Sequence, residues 1–188
     1  MSRTMTHTRF SGAQRLLHWT MAAGIVAMLF IGVGMLSTVA PSYVPLVATH
    51  KTLGVALFAL VLVRLVLRLV LGAPPLPASL PPLMRLGAVL SHWGLYGLMI
   101  ALPLLGWAML STADYPVVLF GNFRLPPILP QSDSLHTLLW AAHRWLAFAF
   151  FALILLHVAA ALFHALIRRD GVFEAMAPLP LHGTERKE

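Results

Sequence analysis

No charged side chain occurs between Arg15 and Lys51, and none between Arg144 and Arg168. A helix packed on a soluble core keeps a polar face towards water, so unbroken apolar runs of this length belong in the hydrocarbon of a bilayer. Four segments, at about 16–39, 52–71, 86–110 and 140–167, each reach the roughly 20 residues that a crossing requires. With 59% of its 188 residues hydrophobic and 10% charged, the chain has little left for a soluble domain. The expected fold is an all-α integral membrane protein. Residues 1–170 form a single four-transmembrane-helix bundle, and residues 171–188 a cytoplasmic tail.

Lysine and arginine in the short flanks give an expected orientation. Arg3, Arg9 and Arg15 precede the first segment, Arg68 and Arg85 border the second connection, and Arg168, Arg169, Arg186 and Lys187 follow the fourth segment. Lys51, Arg124 and Arg144 are what the opposite side holds. Both termini are therefore expected in the cytoplasm of a bacterial inner membrane. The net charge of +7 is then a topology signal, and no nucleic-acid partner is expected. The connection "GAPPLPASLPP", with five prolines, predicts a stiff non-helical link. The longer connection at 111–135 predicts a folded cap at the outer interface.

Histidines carry the chemistry. His18 and His92 begin the first and third segments, on the inner side. His50 begins the second and His143 the fourth, on the outer side. His157, fourteen residues beyond His143, advances about 1400°, nearly four turns, so both leave one face some 21 Å apart. The result is two layers: His18, His92 and His157 inside, His50 and His143 outside. Fourteen residues after His18 and His92 stand Gly32 and Gly106, each at the level of the opposite layer, where a missing side chain leaves room. Two layers of paired imidazoles beside such room suit two flat prosthetic groups stacked along the bundle axis, such as haems with two axial histidines. A lone membrane histidine is also a common interhelical hydrogen-bonder. A metal transporter would gather its histidines at one mid-membrane site with carboxylates, which the four segments lack. The absence of cysteine excludes covalent C-x-x-C-H haem, cysteine-bound iron–sulfur clusters and disulfides.

"RLLHW", "THKTLGVALFALVLVRLVLRL", "HWGLYGLMIALPLLGW" and "HRWLAFAFFALILLHVAAALFH", in that order, resemble the prokaryotic cytochrome b561 family over nearly the whole chain. The resemblance implies a four-helix, inner-membrane protein with two haem b groups, His18 and His157 holding the inner iron and His50 and His143 the outer. It selects His18 over His92, a choice that the spacing alone leaves open. It further implies an oxidoreductase that passes electrons across the bilayer, and is nearest to members that oxidise periplasmic superoxide and reduce ubiquinone. The alternative is a membrane-anchor cytochrome without catalysis of its own, exchanging electrons between quinone and a redox protein partner such as a hydrogenase or dehydrogenase.

Around the expected haems, Arg64 lies fourteen residues after His50 and shares its face at the inner level, suited to a haem propionate or a quinone oxygen. Lys51, Arg124 and Arg144 would place positive potential at the outer edge and draw in an anion such as superoxide. His164, seven residues past His157, is expected with Arg68 and His92 on the quinone side. The five tryptophans are expected mainly as interfacial anchors against membrane lipid.

Overall fold

The computed structural model describes residues 9–38, 41, 43–119 and 122–178. Four long helices dominate: α1 (Gly12–Ser37), α2 (Tyr43–Leu71), α3 (Pro82–Thr112) and α4 (Asp133–Phe163). A two-stranded hairpin, β1 (Val118–Leu119) with β2 (Phe123–Arg124), lies between α3 and α4. A π-helical turn (His164–Arg168) continues α4, and a short α5 (Val172–Met176) follows. At 26 residues α1 is the shortest of the four, yet at 1.5 Å per residue it reaches about 39 Å, longer than the roughly 30 Å hydrocarbon core. All four carry an apolar stretch able to cross a membrane.

Local sequence explains where the helices start and stop. Ser11 caps α1: its hydroxyl accepts from the Gln14 N–H at 3.2 Å while the Gln14 side chain accepts from the Ser11 N–H at 3.1 Å, a capping box. The other end of the same Gln14 amide donates to the Gly72 carbonyl at 3.0 Å and the Leu67 carbonyl at 3.4 Å, closing α2. Gly72 adopts φ +70°, which ends α2, and the prolines beyond it keep the chain non-helical as far as Pro82, the first residue of α3. Ser132 caps α4 through the Leu135 N–H at 3.4 Å. Pro103 sits inside α3 without ending it.

Within each hairpin the helices are closely packed: α1 lies along α2, and α3 along α4. Glycines permit this approach. A Cβ on Gly24 would meet the Leu57 side chain at 3.0 Å, and one on Gly94 would meet Leu153 at 2.9 Å. Between the hairpins the contact is looser. α2 touches α3 over a shorter stretch, and the α1 and α4 backbones hardly approach. Outward faces present bare apolar side chains, among them Phe30, Leu69, Trp93 and Ile167, as helices bathed in lipid do.

Several boundaries differ from the hydropathy expectation. α2 begins at Tyr43 rather than near residue 52, because the apolar "YVPLVAT" stretch is helical and Pro45 falls in the first turn, where its missing N–H costs nothing. His50 and Lys51 are therefore well inside the helix. α4 begins at Asp133 rather than near residue 140, which brings His136 into the helix and shortens the outer connection. α1 starts four residues earlier than expected, and α3 spans more at both ends.

The ends of the described chain meet. The Phe10 N–H donates to the Ala175 carbonyl at 3.0 Å. Arg9 reaches the carbonyls of Glu174 (3.1 Å) and Ala177 (3.0 Å), and Arg15 also reaches Ala177 (3.2 Å). Trp19, expected as a lipid anchor, donates its indole N–H to the Met176 carbonyl at 2.9 Å. The segment after α4 is thus docked on the start of α1, and both ends of the described chain lie at one end of the bundle. Arg3, Arg186, Lys187 and the tail beyond Pro178 fall outside the described residues.

Candidate functional site: two histidine layers along α4

α4 carries His136, His143, Phe150, His157 and His164 at intervals of seven, a stripe along one face. α3 runs antiparallel beside it, and each step of seven along α4 is matched by seven back along α3. The His136 Nδ1–H donates to the Met109 carbonyl, 2.9 Å away. One step on, His143 Nδ1 lies 3.1 Å from the Leu102 carbonyl; a carbonyl can only accept, so both rings carry their proton on Nδ1. Two steps further the register brings His157 opposite Ala88. There the Ala88 carbonyl is taken by Nδ1 of His92 at 2.6 Å. At the last step α3 has ended, and His164 turns instead to Asp170.

The gap between the hairpins is bridged by imidazoles. His18 of α1 and His157 of α4 have ring centroids 6.4 Å apart, and His50 of α2 and His143 of α4 are 6.2 Å apart. His92 approaches His157 more closely, at 5.5 Å. Nitrogen-to-metal bonds of imidazole are about 2.0–2.1 Å, and a ring centre lies about 1.1 Å behind its nitrogen, so two ligands on opposite sides of one metal stand some 6.3 Å apart. The His18–His157 and His50–His143 spacings match that figure. Among the described residues, no group of three or more His, Cys, Asp or Glu side chains gathers as a metal cage. Two-ligand sites within a macrocycle suit this donor set.

Each member has a distinct environment. A Cβ on Gly106 would lie 3.4 Å from His143 Cε1, so the bare glycine lets the ring reach the Leu102 carbonyl. Gly32 faces open space, with nothing within 4 Å of the place a Cβ would occupy. The His50 Nδ1 is buried without a hydrogen-bond partner, although buried polar nitrogens ordinarily find one. Phe150, midway between His143 and His157, is the buried residue of α4. Sequence periodicity contained that placement, since Phe150 is seven residues from each, but phenylalanine gives no chemical signal.

The cations divide. Arg64 donates to the Gln14 carbonyl at 3.3 Å, about one helical turn before His18 on α1. Arg68 is directed elsewhere, stacking over the Phe10 ring at 5.3 Å. On the other side Arg144 lies against two indoles, Trp140 at 5.2 Å and Trp145 at 5.4 Å. Arg124 is exposed on β2, whose backbone pairs with Val118, and Lys51 is half-buried on α2. His164 forms a cluster with Arg168 and Asp170 that no spacing rule suggested. Asp170 was hidden because it follows the helix and only the chain reversal brings it back.

A multi-pass membrane bundle with two layers of facing imidazoles is the architecture of a membrane cytochrome b. The sequence pattern of prokaryotic cytochrome b561 matches residues 9–178. The chain is 32% identical to Cytochrome b561 homolog 2 of Escherichia coli (strain K12), covering 94% of this chain and 95% of that one. It is 28% identical to the Probable superoxide oxidase CybB of Yersinia pestis, over 92% of this chain and 97% of that one. Identity is likewise 28% to Cytochrome b561 homolog 1 of E. coli, over 90% and 97%. The chain belongs to the prokaryotic cytochrome b561 family: it is a bacterial membrane protein of electron transfer, and the family implies haem b.

Proposed function

We propose that this cytochrome carries two haem b groups, one per histidine layer, and moves electrons across the membrane from superoxide outside to ubiquinone inside. The observation that carries the reading is the pair of cross-hairpin ring spacings, 6.4 and 6.2 Å, in a bundle whose hairpins stand apart. His18 and His157 would hold the inner iron, His50 and His143 the outer. His18 is preferred to His92 because the His92 ring centroid stands 5.5 Å from that of His157, against 6.4 Å for His18, and because His92 is the more exposed.

Haem b, when bound, supplies a one-electron carrier at each layer. The chain's own part is orientation. His143 keeps its proton on Nδ1, held by the Leu102 carbonyl, which leaves the Nε2 lone pair free to ligate; such outer partners fix the ring and raise its basicity. Arg64 supplies a positive charge at the inner layer suited to a haem propionate. Phe150, buried between the two layers, presents an apolar ring there. Lys51, Arg124 and Arg144 put three positive charges on the outer side, attractive to the superoxide anion. At the other end, His164, Arg68 and His92 supply polar and charged groups for quinone. The lysine and arginine bias supports placing the joined ends of the chain in the cytoplasm, with the β hairpin in the periplasm.

The reading is tested by stopped-flow absorbance of the purified, oxidised protein mixed with superoxide, with and without ubiquinone. It requires rapid haem reduction by superoxide and a return to the oxidised spectrum when quinone is present. Haem that superoxide leaves oxidised, while a redox protein reduces it, would replace the reading with that of a membrane-anchor cytochrome.

A further inference from the structure

Where α4 runs out of α3 to bond with, its last histidine finds a carboxylate. The Nδ1–H of His164 points at both oxygens of Asp170, 2.9 Å from Oδ2 and 3.0 Å from Oδ1. Arg168 Nε donates to Oδ2 at 2.9 Å, and the Val172 N–H reaches Oδ1 at 3.4 Å. The cluster is shielded: the side chains of His164 and Asp170 keep 14% and 10% of their exposure. The backbone is shaped to make it. α4 widens into a π turn beginning at His164, a feature often found at functional sites, and the chain then reverses through Arg169 at φ +50° and Gly171 at φ +82°. A left-handed arginine is strained, so the reversal is held by the contacts that Asp170 makes.

These contacts fix the hydrogen positions. Burial pushes the Asp170 carboxyl up, but hydrogen bonds from Arg168, His164 and the Val172 N–H outweigh it and hold the group below the ordinary carboxylate value. Asp170 is then an acceptor at neutral pH, so the His164 proton facing it is on Nδ1 and the working atom is Nε2. A histidine aligned by a shielded carboxylate is the arrangement that general acid–base chemistry uses.

We propose that Asp170, clamped by Arg168 and the Val172 N–H, positions His164 to deliver protons from Nε2 to a quinone bound at the end of the bundle where α5 docks on the start of α1. The inference rests on the quinone reading above and deepens it. A quinone takes two electrons, which the protein carries one at a time, and two protons: Q + 2e⁻ + 2H⁺ → QH₂. In each proton step the Nε2–H bond of His164 breaks and an O–H bond forms on a quinone oxygen. The ring stays anchored through Nδ1–H and recovers its Nε2 proton from water. The charged groups around it are Arg168 and Arg169 on its own stretch, Glu174 on α5, Arg9 and Arg15 bonded to the α5 end, and Arg85 in the first turn of α3, next to the Met84 that Arg168 touches. His164 is thereby the catalytic residue and Asp170 the positioning residue. If Asp170 only tied off the helix, replacing it would change stability and leave the pH dependence of the reaction as it was.

The experiment uses full-length haem-loaded protein, reduced with dithionite and mixed with ubiquinone-1, with haem reoxidation followed between about pH 6 and 9. The wild-type rate should fall as pH rises, as a step that consumes protons requires. Asp170→Asn, with its haem spectrum intact, should slow reoxidation at least about tenfold and change the pH profile, and Asp170→Glu should recover most of the rate. Asp170→Asn with a wild-type rate and profile would overturn the inference, as would a slower rate on an unchanged profile with a lowered melting temperature. If Asp170→Asn does not retain haem, His164→Ala decides: restoration of the rate by added imidazole supports the inference, and no restoration overturns it. Wild-type protein that quinone fails to reoxidise would overturn the quinone reading itself, and the inference with it.

Discussion

Gly106 offers a graded way to disturb one histidine layer without replacing a histidine. A methyl group there would stand 3.4 Å from Cε1 and 3.7 Å from Nδ1 of His143, so Gly106→Ala requires a shift of only a few tenths of an ångström. Gly106→Leu adds three more carbons in the space that the imidazole fills, and the ring must leave the Leu102 carbonyl 3.1 Å away. Losing that hydrogen bond costs about 0.5–1.5 kcal/mol directly. Losing an outer partner of a metal-binding histidine lowers metal affinity about 10–100-fold, or roughly 1.4–2.7 kcal/mol. The expected result is that Gly106→Ala keeps both haems while Gly106→Leu loses or loosens the outer one. Haem content per chain, with a spectroscopic redox titration to separate the two components, reads this directly. Retention of both components at wild-type potentials in Gly106→Leu would refute the reasoning, as would loss of the inner one.

His143→Ala should remove only the outer haem and His157→Ala only the inner one, since about 21 Å of helix separates them; loss of the same redox component from both variants would count against two layers. His92→Ala should leave both haems in place, and an absent inner component would show that His92 rather than His18 faces His157. Replacing both Arg124 and Arg144 by Gln should slow haem reduction by superoxide, and the wild-type rate should fall as ionic strength rises, because the attraction between exposed charges is screened beyond about 8–10 Å. A wild-type rate that is flat with salt would remove the steering role. Asp170 is held below its ordinary value of 3.8, so its contribution to the docked C-terminal segment is full above that pH and lost as pH falls through the lower folded value. The protection factors at residues 170–177, exchange rates taken relative to the intrinsic rate at each pH, should fall on acidification in the wild type and stay unchanged in Asp170→Asn; equal profiles would contradict the assignment.

Much of this molecule could be read from sequence because the bilayer makes the code simple. A run of uncharged residues from Leu16 to His50 leaves few alternatives to a crossing, and steps of fourteen between His143 and His157 fix a shared helix face whatever the packing. Helix ends were less legible. Hydropathy cannot tell an apolar connection from an apolar first turn, which is why "YVPLVAT" belongs to α2 and Asp133 opens α4. Contacts that depend on chain reversal were not legible at all. Nothing in the spacing of Asp170, Met176 or Ala177 shows that the segment after α4 folds back to meet His164, Trp19 and Arg9. The Leu102 carbonyl beside His143 was hidden for a related reason: a backbone acceptor has no letter in the sequence, and only the register of α3 on α4 assigns it.

On the proposed reading, one chain of this cytochrome holds two haems, each between facing histidines of opposite hairpins. Pyridine haemochrome analysis of the purified protein, normalised to protein by quantitative amino-acid analysis, measures that number directly. The two histidine layers predict close to two b-type haems per chain. A value close to one in fully loaded protein would contradict the stacked arrangement.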